Sequence, residues 1–317
     1  MLGGLGLVAA VVAASYGLNW LVPTLSPLIW AIGVGVALAP AARRVPATAP
    51  GVELAGRSLL RLGVAFLGFR ISADELATVG VGGLVVAVGT VVATLGIAVV
   101  AGRRLGVERK SSLLIAAGSS ICGASAIAGM NGVVKADERA VGYAVATVTV
   151  FGTLAMLLVP VLAVPVLGLS EHAAGMWAGA SVHEVAQVTA AGAAISTGAL
   201  EVATLVKLAR VVMLGPVIVA MSALESGERS WSRVRVPAFV VAFVAIVAVG
   251  SVVHLPATAV SVGGLLSTLL LAAGLAALGL QIELGALRSA GWRPMALGLV
   301  AWVGAAVVSL LLVLLVV

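Results

Sequence analysis

The chain has 317 residues, 62% of them hydrophobic and only 9% charged, with a mean hydropathy of +1.24. Apolar runs repeatedly reach the ~20 residues that a membrane helix needs, so the chain reads as an all-α polytopic membrane protein. Its longest polar stretch, Glu225–Arg235, is only loop-sized, its +6 charge needs no nucleic acid to explain it, and single Cys122 rules out an internal disulfide framework.

In chain order the spans are expected near 4–22, 28–42, 54–69, 77–101, 112–134, 140–168, 174–196, 201–223, 236–253, 259–281 and 294–317. That is about eleven transmembrane helices, or ten, because the second and third are short. Met1–Val22 lacks a basic leader region and is followed by more spans, so it reads as the first membrane helix. Arg57 and Arg61 sit at the start of the third span as interface anchors. On this count one set of loops holds Arg43, Arg44, Arg103, Arg104, Arg109, Lys110, Arg229, Arg233, Arg235, Arg288 and Arg293, and the other only Arg70, Lys135 and Arg139. Retention of basic residues inside then makes the amino terminus cytoplasmic and the carboxyl terminus external.

The fifth span contains Gly118-Ser119-Ser120-Ile121-Cys122-Gly123-Ala124-Ser125, where small and hydroxyl residues replace Leu and Val. Two readings fit it. Gly118, Cys122, Ser125 and Gly129 share a face suited to close helix packing. Alternatively the helix breaks near Gly118–Gly123, and its amides and serine hydroxyls meet an anion at a positive helix end. The seventh span holds Ser181, His183, Glu184 and Gln187, a polar stripe costly in lipid unless it faces protein or water. It is either a structural hydrogen-bond network or a site that handles substrate or protons, with His183-Glu184 as the relay. Lys207 and Arg210, three residues apart in the eighth span, either pair with internal acids or supply countercharge to an oxyanion.

Two echoes suggest duplication. Leu67-Gly68-Phe69-Arg70-Ile71 recurs as Leu278-Gly279-Leu280-Gln281-Ile282, inverted under this topology, whereas Glu138-x-Ala140 to Phe151-Gly152 recurs parallel as Glu201-x-Ala203 to Leu214-Gly215. Enzyme signatures are poor: Gln187 stands where H-E-x-x-H needs its second histidine, no P-loop is present, and an intramembrane dyad would require Ser125 within reach of His183. Neither a metal nor a cofactor is expected.

Leu59–Gly63, Gly68-Phe69-Arg70, Gly118–Ala124, Val134-Lys135-Ala136, Ala144–Val148, Phe151-Gly152-Thr153, Val182–Val188, Arg210–Leu214 and Ala276–Leu280 together resemble the YeiH-type family of bacterial inner-membrane proteins, associated with sulfate export. The resemblance covers about residues 54–292. It implies one transporter domain similar to the cation:proton antiporter and bile-acid symporter group, with an extra helix over 1–27 and inverted five-helix repeats near 28–168 and 174–317. Broken helices cross near the midplane on that scheme, which pairs the Gly118–Gly129 helix with Ser261–Gln281; a homodimer in the inner membrane is also implied. The expected function is proton-coupled secondary export of a small sulfur oxyanion. Ser119, Ser120, Cys122, Gly123, Ser125, Gln187, Lys207 and Arg210 would bind substrate, and His183 and Glu184 would carry the proton. The alternatives are a cation:proton antiporter using Glu184 and, from another class, an intramembrane hydrolase using Ser125 and His183.

Overall fold

The computed structural model describes residues 1–22, 27–71, 73–226, 238–253, 255–281 and 291–317. Every regular element among them is helical: α1 (Leu2–Leu21), α2 (Pro27–Ala42), α3 (Ala49–Leu54), α4 (Leu60–Leu67), α5 (Ala73–Arg104), α6 (Arg109–Ser120), α7 (Ala124–Val134), α8 (Glu138–Ala163), α9 (Glu171–Ser181), α10 (Val185–Ile195), α11 (Thr197–Val212), α12 (Leu214–Ser226), α13 (Ala238–Val252), α14 (Ala257–Gln281) and α15 (Trp292–Val316). Six described helical stretches are long and apolar enough to cross a membrane, and α2 and α13 are shorter apolar helices. Arg229, Arg233, Arg235, Arg288 and Ile282 lie outside the described residues.

Packing divides the chain into two compact units, Met1–Thr78 with Pro237–Glu283, and Val79–Val236 with Leu284–Val317. In the first, α14 lies between α2 and α4. Gly35 and Gly279 let α2 and α14 approach to backbone contact, as small residues do where lipid supplies no hydrophobic drive. Leu60 meets Gly274, Gly63 meets Leu271, and Arg70 donates to Gly264 O at 3.1 Å and Thr268 Oγ1 at 2.8 Å, so α4 and α14 run antiparallel. Within the first echo, Gly68 abuts α13 whereas Gly279 abuts α2. Arg57 pairs with Glu53 at 3.1 Å on an exposed surface, where such a pair adds little stability.

The second unit overturns two expected spans. A continuous helix over 109–134 would be about 39 Å long, yet Lys110 Nζ donates to Lys135 O at 2.9 Å. The segment therefore folds back, and α6 and α7 are legs of a hairpin with its tip at Ile121–Gly123. Residues 171–195 do the same: Gly175 of α9 and Gly192 of α10 both abut Ala199–Leu200 of α11, which sets the two open ends at one level. Spans 112–134 and 174–196 are thus hairpins rather than crossings, because a hydropathy window registers apolar length and is blind to a reversal of direction. Nor do broken helices pair as expected. α14 is unbroken through Ser261–Gln281, and the segment interrupted like α6–α7 is α9–α10.

α8 orders the hairpins. Its start adjoins the open end of α6–α7 and its end leads to α9–α10, so they open at opposite ends of α8. Their tips meet at its middle, where Val148 abuts Gly118 and Gly152 abuts Gln187. α11–α12 runs the other way, from Ala199 beside the second hairpin's open end to Ile218 beside Gly129 of the first. The second echo, expected to be parallel, is consequently antiparallel. Lys135 returns beside Lys110, and Arg139 follows on the same face.

Candidate functional site

Four half-helix ends converge at the tips. α6 and α9 bring their carbonyl ends, α7 and α10 their amide ends, each with unsatisfied backbone groups and a partial charge of ~0.5. Gly123 opens α7 at φ +69, and a Cβ there would run into Glu184 Cγ, so both conformation and space require glycine. Val182 and Glu184 are extended between α9 and α10.

The carbonyl ends are closed by two cations from α11. Lys207 Nζ donates to Ile121 O at 2.7 Å and Val182 O at 2.8 Å, one carbonyl from each tip. Arg210 donates through Nε to Ser120 O at 3.1 Å, through one terminal nitrogen to Gly179, Ala180 and Val182 O, and through the other to Ser119 and Ser120 O. Both side chains are 0% exposed. Expected as direct oxyanion ligands, they instead hold backbone carbonyls; all three guanidinium nitrogens of Arg210 are engaged, so its charge reaches the junction while its donors do not.

The amide ends are closed by one carboxylate. Glu184 Oε1 accepts from Ala124 N at 3.3 Å, capping α7, and forms a capping box on α10 in which Gln187 Oε1 accepts from Glu184 N at 3.1 Å. Gln187 Nε2 reaches Thr149 O at 3.5 Å and braces the box against α8. Glu184 makes no ion pair with Lys207 or Arg210 among the described residues. Counted at their usual charges, two cations face one carboxylate while the half-helix ends cancel, leaving one positive charge in excess.

The expected site residues thus gather at the tips, but in two layers. Ser119, Ser120, His183, Gln187, Lys207 and Arg210 are buried, as is the free thiol of Cys122, while Ala124 and Ser125 are exposed and Glu184 and Val185 half-buried. Ser120 Oγ turns back to Ala117 O at 3.3 Å and Ser181 Oγ to Trp177 O at 2.6 Å, so neither projects toward a ligand. Ser119 Oγ and both ring nitrogens of His183 have no hydrogen-bond partner among the described residues, so the Ser125–His183 dyad is not formed. Sequence reasoning missed Thr149 and Gly152 of α8, the seat of Gln187; a small residue inside an apolar helix was the available sign.

A family model described as conserved hypothetical protein 698 matches residues 3–298. A UPF0324 membrane protein of Corynebacterium glutamicum is 40% identical over 296 residues, covering 92% of this chain and 86% of its own. One from Bordetella bronchiseptica is 41% identical over 263 residues, 80% and 82% of the two chains. The UPF0324 inner membrane protein YeiH of Escherichia coli K12 is 40% identical over 264 residues, 80% and 75% of the two chains. No solved structure matches the chain.

Proposed function

This chain belongs to the UPF0324 family of membrane proteins, and we propose that it is a secondary transporter that moves a small anion through the junction of its two hairpins. The observation that carries the reading is the charge imbalance there: Lys207 and Arg210 against Glu184, where two amide ends meet beside exposed Ser125. An anion is the ligand that such an excess and such amide ends favour. Because the hairpins open toward opposite faces, a shift of either tip would expose the junction to one side at a time.

Glu184 occupies the amide ends that an oxyanion would use, so it is the group that must yield. With a proton on Glu184 the excess rises to two, which suits a sulfate-like dianion. A dianion moving with one proton carries one net negative charge, and an interior-negative potential drives it outward by about 2.3 kcal/mol per 100 mV. Export of a sulfur oxyanion with Glu184 as the coupling group, and His183 beside it, is the resulting proposal; no catalytic step is part of it. Among the described residues, placing Lys135 and Arg139 with Lys110 leaves nine basic loop residues assigned to one face and Arg70 alone to the other. That supports a cytoplasmic amino terminus, an external carboxyl terminus, nine crossing segments and two re-entrant hairpins. The antiparallel pairs α4/α14 and α8/α11 support inverted repeats, and a homodimer is proposed by family analogy.

The second reading is a cation:proton antiporter, favoured by the half-buried Glu184 carboxylate. Against it, the nearby charges are cationic and the carboxylate already accepts backbone amides. Proteoliposome uptake of labelled sulfate, sulfite, an organosulfonate and sodium separates the two. Anion flux above protein-free vesicles is expected; sodium flux without it would replace the anion reading.

A further inference from the structure

Away from the hairpin tips, a groove of about 570 Å³ is lined by α5, the start of α6 and the end of α12. Leu95, Val99, Val100, Leu113, Met221 and Leu224 make its walls, and Arg103, Arg109 and Ser112 stand at its basic end. Val100 is 49% exposed and Leu224 77% exposed, so part of this apolar wall is uncovered, and Gly96 has open space where a side chain would project. From Leu95 to Arg103 the wall rises eight residues, roughly 12 Å along the helix, most of one leaflet of a ~30 Å hydrocarbon core. An apolar slot is a poor route for a hydrated oxyanion, whereas a chain of methylenes with an anionic group at one end matches both its walls and its basic end.

We propose that this groove is a binding site for an anionic phospholipid of the arginine-rich face, its acyl chain along Leu95–Val100 and Leu224 and its phosphate at Arg103. Basic pockets between membrane helices take such headgroups by charge, and the apolar walls hold the chain. Since Arg109 and Ser112 belong to the first leg of the α6–α7 hairpin, a bound lipid ties that leg to α5 and α12. The site is independent of what the hairpin tips carry.

The test uses the full chain, purified and delipidated in zwitterionic detergent, titrated with phosphatidylglycerol or phosphatidylcholine of identical chains and read by native mass spectrometry. Phosphatidylglycerol should bind roughly fivefold more tightly, the weight of one basic side chain. Arg103→Gln should erase that preference, and Gly96→Leu, which grows into the groove, should weaken both lipids, while Gly33→Leu on exposed α2 should change neither. Equal retention of both lipids by the unaltered protein, or unchanged binding in Arg103→Gln and Gly96→Leu, would overturn the proposal. Displacement of phosphatidylglycerol by millimolar inorganic phosphate would overturn it too, by assigning the basic end to a free anion.

Discussion

Arg210 and Glu184 do opposite jobs at the same junction: one satisfies the carbonyl ends of α6 and α9, the other the amide ends of α7 and α10. Removing Arg210 leaves up to four buried carbonyls, those of Ser119, Ser120, Gly179 and Ala180, without a donor, since Val182 O keeps Lys207. At 1–3 kcal/mol for each such group, partly recovered by relaxation, Arg210→Gln should destabilise the folded protein by roughly 3 kcal/mol or more. Thermal unfolding in detergent checks this, with Arg210→Lys expected to recover part of the loss; an unchanged Tm in Arg210→Gln would deny the capping role. Glu184→Gln is the contrasting case, because an amide oxygen still accepts from Ala124 N. Its Tm should stay near that of the unaltered protein, substrate should still bind and exchange, and accumulation driven by a pH gradient should be lost. Persistence of that accumulation in both Glu184→Gln and His183→Gln would assign the pair to structure. Gly123→Ala adds strain of about 1–2 kcal/mol at positive φ and crowds Glu184, so transport should fall further than stability. The residues that gather at the tips were conspicuous in the sequence as charged and hydroxyl groups among Leu and Val. Their targets were not, since those are backbone carbonyls and amides, which composition does not reveal.

At the scale of the element, the break at Ile121–Gly123 was readable and its direction was not. Glycine and serine marked where helix ends, but a hydropathy window counts two returning legs of about eleven residues as one crossing. The misfit lay in the loops, where Lys135 and Arg139 stood on a face otherwise holding only Arg70. In the second hairpin, Gly175, Gly179 and Gly192 let both legs press against α11, a packing role that looks like any apolar glycine in a span. Labelling decides the topology. With Cys122→Ser as background, Lys110→Cys and Lys135→Cys should react with a membrane-impermeant thiol reagent from the same side. Labelling from opposite sides would restore the crossing and remove the hairpin.

At the scale of the molecule, two hairpins of opposite entry meet at a junction with one positive charge in excess and a carboxylate able to change that excess. Helical class and membrane character were plain from composition, and the family from its motifs. The division into two compact units was not, because it follows from which apolar faces meet and those faces are nearly uniform in Leu, Val and Ala. The most direct test is efflux of radiolabelled sulfate from proteoliposomes under an imposed potassium diffusion potential, with internal pH recorded. Efflux is expected to quicken as the interior is made negative and to carry protons out with the anion, with the proton flux absent in Glu184→Gln. No flux of sulfate, sulfite or organosulfonate above protein-free vesicles at any potential would contradict anion transport through the junction.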